Sequence, residues 1–423
     1  MVPNGWKEVK LGTLITHQKG YAFKSESYQE DGIRIIRISD TTQNSIHDKN
    51  SVYLNPLDAI GLKNYKLSTN DIVLSTVGSR PHLLDSMVGK AVQIPEKDDG
   101  ALLNQNLVRL VPKKNLITND YLFSMLKKNK FNYFISTLVR GNANQVSITL
   151  AELFAYKFLL PSYGEKRKIA KILSTWDKAI STTEALIDNS KQQKKALMQQ
   201  LLTGKKRLLD DSGKPFDGEW IHGYLGDLCL FKGGSGFKEV YQGETQGELP
   251  FIKVSDMNLV SNTKFIKEAN NWLSKKVADS IKAKQFPSGS VVFAKVGAAL
   301  LLNRRRILIK DTIIDNNMMA GIPKKNCETH FLYQLMLTID FAKLVQDGAV
   351  PSVNQSVLAK FKLSYPSLEE QKKITTVLTN ADKEIELLEQ QLADLKQEKK
   401  ALMQQLLTGK RRVTVETTSD VLC

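Results

Sequence analysis

The sequence predicts an α+β protein: two similar mixed α/β domains joined by two long antiparallel coiled-coil helices, the halves forming a pseudo-twofold internal repeat. Three observations carry that expectation. A segment running from Pro161 to Arg207 recurs without a gap at an offset of 399 − 194 = 205. Short β-branched runs bounded by Gly, Pro, Asn or Ser precede each copy, as strands do. Within each copy apolar residues are spaced 4, 3, 4, 3, the period of a coiled coil.

In chain order, residues 1–160 form the first domain. Arg34 to Ile38 and Asp71 to Leu74 are its clearest strands, and Tyr121 to Leu126 has a helical pattern. Residues 161–206 form the first helix. Pro161 stands where a helix can begin and Gly204 where it can end. Its apolar face runs Ile169, Leu173, Trp176, Ile180, Thr183, Ile187, Ser190, Lys194, Leu197 and Leu201. Thr183, Ser190 and Lys194 weaken that seam, which argues for a specific partner rather than a solitary helix.

Residues 207–365 form the second domain, with strands at Phe251 to Val254 and Val291 to Phe293 and a helix at Phe331 to Leu337. Residues 366–412 form the second helix, entered at Pro366 and left at Gly409, with a short tail at 413–423. Its face runs Ile374, Leu378, Ala381, Ile385, Leu388, Leu392, Leu395, Lys399, Leu402 and Leu406. The order domain, helix, domain, helix makes the two helices run in opposite directions, each about 40 residues or ~60 Å long. The two domains align only in outline. Trp6, Gly12, Gly20 and Phe23 match Trp220, Gly226, Gly234 and Phe237. Ser39-Asp40 matches Ser255-Asp256, Val77-Gly78 matches Val296-Gly297, and Asn106 and Pro112 match Asn317 and Pro323. The offset drifts between 211 and 219, so the framework is shared while the loops have diverged.

Composition narrows the function classes. In 423 residues, 42% hydrophobic and 25% charged, 60 Lys and Arg against 44 Asp and Glu leave +16. That excess favours a polyanionic partner. No apolar run approaches the ~20 residues of a membrane span, and the start lacks a secretory hydrophobic region. Cys229, Cys327 and Cys423 are odd in number and widely spaced, which suggests neither a disulfide framework nor a zinc site and fits a reducing cytoplasm. No two prolines are adjacent, so the Asn/Asp-Pro-Pro-aromatic motif of amino-methyltransferases is missing. Gly204-Lys205 and Gly409-Lys410 lack the remainder of a phosphate loop and are read as helix stops. Asp394, Glu398 and Lys400 form a solvated charge pattern, and the five histidines have no spacing suited to a metal or a triad.

The duplicated Lys-Lys-Ala-Leu-Met-Gln-Gln-Leu-Leu-Thr-Gly-Lys at Lys194 and Lys399, with the Leu-Pro-Ser and Tyr-Pro-Ser entries at Leu160 and Tyr365, resembles the DNA specificity subunit of type I restriction-modification systems. The resemblance covers essentially the whole chain. It implies two target-recognition domains, each reading one half of a split, asymmetric DNA target. It also implies helices that set the spacing and dock two modification subunits, which methylate adenine, with restriction subunits joining them. The chain is then a non-catalytic DNA-binding subunit of a bacterial or archaeal cytoplasm with no cofactor of its own. S-adenosylmethionine, ATP and magnesium belong to the partner subunits. The alternative is a coiled-coil adaptor carrying two protein-binding domains, which leaves unexplained why a framework is duplicated while its loops diverge.

Candidate DNA contacts follow from residue chemistry. Lys19, Tyr21 and Lys24 around Gly20 occupy the same place as Lys232, Ser235 and Lys238 around Gly234; glycine lets backbone approach phosphate, and lysine neutralises it. Arg80, Arg140, Arg304, Arg305 and Arg306 could read guanine edges, and Asn142, Asn144 and Gln145 adenine edges.

Overall fold

The structure is a computed structural model describing residues 2–42, 45–78, 88–142, 145–236, 238–345 and 350–415. The chain divides into two compact units, Met1–Glu184 with Gln390–Cys423, and Ala185–Glu389. Each long helix has residues in both. Each unit is a mixed α/β domain packed with a segment of each helix, and the expected fold class is the observed one.

In the first unit a four-stranded sheet orders Ile15–Lys19, Leu107–Pro112, Ile72–Ser75 and Ala91–Gln93, all antiparallel. A smaller sheet places Ile33–Ile36 between Val52–Leu54 and Leu102–Leu103, the latter parallel. The domain ends are closed by pairing Lys7–Lys10 with Lys157–Leu160. The second unit repeats this. Cys229–Gly233, Met318–Pro323, Val291–Ala294 and Arg306–Leu308 form the larger sheet, here extended by Phe265–Ile266. Leu249–Ile252 lies between Asn271–Leu273 and a parallel Thr312–Ile314, and Ile221–Tyr224 pairs with Lys362–Tyr365.

Several residue matches acquire reasons from this frame. The predicted strands stop before Ile38 and Val254, where a 3-10 turn begins in each unit. Asp40 and Asp256, both fully buried, end those strands by accepting hydrogen bonds from the backbone N–H of Arg37 at 2.8 Å and Lys253 at 2.7 Å. The aligned Ser-Asp pairs are therefore framework. Trp6 packs beside Gly409 and Trp220 beside Gly204; both glycines have positive φ, 70° and 72°, as a helix stop requires.

The long helices run Tyr163–Leu201 and Leu368–Leu406. Each starts two residues after its proline. Ser162 and Glu165 form a reciprocal cap at the first start, and Ser367 Oγ accepts from the Glu370 N–H at the second. Every predicted seam residue is buried or half-buried. Ile169, Leu173 and Leu406 are fully buried in the core of the first unit, and Leu201, Ile374 and Leu378 in that of the second. The three polar seam positions of the first helix are satisfied. Buried Thr183 donates to its own helix at Ala179 O, 2.9 Å, Ser190 reaches Glu384 at 3.5 Å, and Lys194 pairs with Asp382 at 2.5 Å.

Three ion pairs along this seam occur twice, with the repeat copies exchanged. In the first unit Asp177 pairs with Lys399, Glu184 with Lys396 and Glu165 with Arg412. In the second Asp382 pairs with Lys194, Glu389 with Lys191 and Glu370 with Arg207. In both units the partner number falls as the residue number rises, so the helix segments are antiparallel.

Asp382 also accepts from Lys264 at 3.0 Å and from the Gln334 amide at 3.2 Å. Burial alone would raise its carboxyl, but hydrogen bonds from Lys194 and Lys264 outweigh it and hold it below the ordinary value. A carboxyl depressed in the folded state contributes stability that is full above its unfolded value, about 3.9, and lost as pH falls through the folded one. Asp382→Asn should therefore cost about 2 to 3 kcal/mol at neutral pH, since it leaves two lysines without their anion. Urea titrations of both proteins should converge below about pH 4. A difference that persists undiminished at pH 3 would show that the carboxylate charge is not the cause.

Candidate nucleic-acid interface

Backbone hydrogen bonds assemble four loops of each unit into one rim. In the first unit Gly20 N–H donates to Leu107 O at 3.1 Å and Tyr21 N–H to Leu103 O at 2.8 Å, while Gln105 N–H returns to Tyr21 O at 2.9 Å. On the other side Thr76 N–H donates to Asn106 O and Ile148 N–H to Thr76 O. Val77–Gly78 then carries the hairpin of Arg140–Asn142 and Gln145–Ser147 as a third strand. The second unit repeats the bonds: Gly234 to Met318 O, Ser235 to Ile314 O, Lys295 to Asn317 O, Val353 to Lys295 O.

The glycines of this rim have a tighter task than loop flexibility. A Cβ on Gly20 would lie 1.9 Å from Asn104 O, and one on Gly234 2.2 Å from both Ile314 O and Asp315 O. Both are used for close backbone packing, where the sequence had suggested an approach to phosphate. Their flanking residues remain available. Lys19, Lys24, Lys232 and Lys238 are exposed. Tyr21, 40% exposed, packs edge-on against Phe23 and Tyr65 at 5.0 and 5.2 Å, leaving an aromatic surface where Ser235 stands in the other unit.

The arginine run separates into three roles. Arg305 is 1% exposed: its guanidinium lies 3.7 Å from the Phe341 ring centroid and donates to Asn303 Oδ1 and Ile339 O. Its expected role as a base reader is corrected, because the segment leading into the strand Arg306–Leu308 turns it into the core, where ring and carbonyls hold its charge. Arg306 is half-buried and donates to the carbonyls of Asn262, Arg305 and Met257, so it too braces backbone rather than offering a free fork. Arg304 is exposed and donates to Asn258. Arg140 is exposed and paired with Glu152. Arg80, Asn144 and Phe237 lie outside the described residues, as do the side chains of Asn142 and Gln145.

Residues that sequence reasoning missed stand on the same rim. Exposed Gln105 in the first unit, and exposed Asn316 and Asn317 in the second, present amides of the kind that read adenine edges. Asn106 and Asn317 had been matched across the repeat, but only as framework. Lys295 and Gln355 flank Gly233, whose added Cβ would sit 3.2 Å from the Lys295 ammonium. They line a groove of about 720 Å³ with Phe231, Ser352 and Asn354. Lys295 directly precedes the matched Val296-Gly297, which was the available signal. Among the described residues no cluster of His, Cys, Asp or Glu could hold a metal ion, and no helix is long and apolar enough to cross a membrane.

The two units thus share a duplicated frame whose exposed, lysine-bearing and amide-bearing rims differ in their side chains. Residues 3–190 and 218–397 match the type I restriction modification DNA specificity domain, and the chain belongs to that family. A Methanocaldococcus jannaschii protein provisionally named as the type I restriction enzyme MjaX specificity subunit is 28% identical over 431 residues, covering 97% of this chain and 95% of the relative. The fold is shared with the crystallised type I restriction-modification S subunit of M. genitalium, with a TM-score of 0.59 at 14% identity over 96% of this chain and 97% of that one. A chain from a study of complex assembly and conformational transition in the type I system gives 0.56 at 16% identity, over 97% of this chain and all of the other.

Proposed function

We propose that this chain is the DNA reader of a type I restriction-modification complex, each unit using its rim to read one half of a split target. The long helices set the distance between half-sites and dock two modification subunits, which restriction subunits then join. The chain catalyses nothing itself; S-adenosylmethionine, ATP and magnesium act in the partner subunits. The observation that carries this reading is the rim: four of its backbone bonds recur at equivalent positions in both units, while Tyr21 is replaced by Ser235 and Gln105 by Asn316. Conserved scaffolding with changed side chains is what two unrelated half-sites require. The structurally similar chain studied in the assembly of a type I system supports the same partner class here.

The test is an exchange. Replacing residues 1–160 by the corresponding region of a relative should change one half of the selected target and leave the other intact. Selection of bound duplexes from a random library reads this out. Coupled change of both halves would refute independent reading, and failure to select any duplex would favour a protein-binding adaptor.

A further inference from the structure

A second basic site lies on the first unit, built from the helix seam and unrelated to the rim. It is a recess of about 370 Å³ with seven lysines and no acidic residue in its lining, within the size range of small-ligand pockets. Lys127 and Lys128 enter from the turn after the helix Asn119–Leu126 and Lys130 from the start of the next helix, Asn129–Leu138; Lys396, Lys399, Lys400 and Lys410 enter from the second long helix and its stop. An adjoining recess of about 470 Å³ adds Lys90, Asp177 and Glu184. Those two carboxylates engage Lys399 and Lys396. Lys128 donates to Leu407 O at 3.0 Å. Lys130, Lys400 and Lys410 have no acidic partner within ion-pair distance among the described residues.

We propose that this recess binds a small multiply charged phosphate anion of the di- or triphosphate class, one per chain. Like charges crowded in a partly desolvated recess repel strongly, and an anion with several oxygens at once offsets that cost. Monocarboxylates carry too little charge in this volume, and a duplex is too wide to enter it. The neutral polar groups of Asn129, Gln404 and Thr408, with the Met403 side chain, complete the lining. Burial, with Lys399 and Lys90 nearby and Asp177 opposing, pulls Lys127 down to about 8; burial and Lys130 do the same to Lys128. An anion favours their charged forms, so its binding should take up protons and weaken as pH rises from 7 to 9.

The repeat supplies an internal control. Lys191, Lys194, Lys195 and Lys205 stand in the second unit where Lys396, Lys399, Lys400 and Lys410 stand in the first. Matching the helix caps Thr118 and Glu328, however, places Leu337, Thr338 and Asp340 where the first unit has Lys127, Lys128 and Lys130. A partner that engaged the helices symmetrically would use features present in both copies, and this recess is not such a feature.

Calorimetric titration of the full chain with inorganic tripolyphosphate at fixed ionic strength should give one saturable site. The double variant Lys130→Gln with Lys400→Gln should weaken it roughly tenfold or more, as losing charge-assisted hydrogen bonds does. Arginine at both positions should restore binding, and Lys195→Gln, which removes the equivalent charge of the other unit, should leave it unchanged. Retained binding in the presence of saturating duplex of arbitrary sequence assigns the recess to a small anion. Displacement by that duplex, two equivalent sites, no saturable binding, or an equal loss in Lys195→Gln would each overturn the proposal.

Discussion

Gly20→Ala should destabilise the first unit by at least about 3 kcal/mol, and Gly234→Ala the second by a similar amount. At 1.9 and 2.2 Å the added Cβ meets backbone, which cannot swing aside as a side chain can. The loop following each glycine must move, and with it the bonds to Leu103 or Ile314 that start the rim. Gly236→Ala is the control, since a Cβ there meets only the Asn316 amide at 3.8 Å. Hydrogen exchange read separately over residues 2–184 and 185–389 measures the effect and avoids assuming a single two-state transition. Protection unchanged in Gly20→Ala would mean that the strands tolerate separation and the rim is not rigidly built. If DNA reading is lost at one half-site only, the rim and the half-site are linked as well.

The second large effect is expected from lengthening the helices. Adding one heptad to both, after Ile187 and after Leu392, preserves the 4, 3 spacing and adds ~10 Å of helix. In DNA that is about three base pairs at ~3.4 Å each. On the proposed reading the half-site sequences persist, while the preferred spacer grows or binding is lost because added twist turns one half-site away. Lengthening only one helix breaks the exchanged pairing of Asp177 with Lys399 and Asp382 with Lys194, and should be worse. Selection from a library of randomised spacer lengths decides it. An unchanged spacer at unchanged affinity would remove the helices as the measuring element.

By itself the sequence determined the two-domain plan, the two helices with their caps and seam, and the family, because duplication and a 3.5-residue period are properties along one dimension. Ile169, Leu173, Ile374 and Leu378 could be placed on an inner face from their spacing alone. Strand positions were legible to within a few residues wherever β-branched runs were long. Only the tertiary structure decided which charges are available. Arg304, Arg305 and Arg306 are neighbours in sequence, yet one faces solvent, one lies on Phe341 and one braces three carbonyls, because the first two lie in the irregular segment before the strand that Arg306 begins. Likewise Gly20 looked like a flexible loop residue until Asn104 was found against it, 84 positions along the chain (104 − 20 = 84). The lysine recess joins Lys127 and Lys130 to Lys400 and Lys410, residues separated by most of the chain. Its charges are brought together by folding of the seam, and no local pattern in the sequence records that meeting.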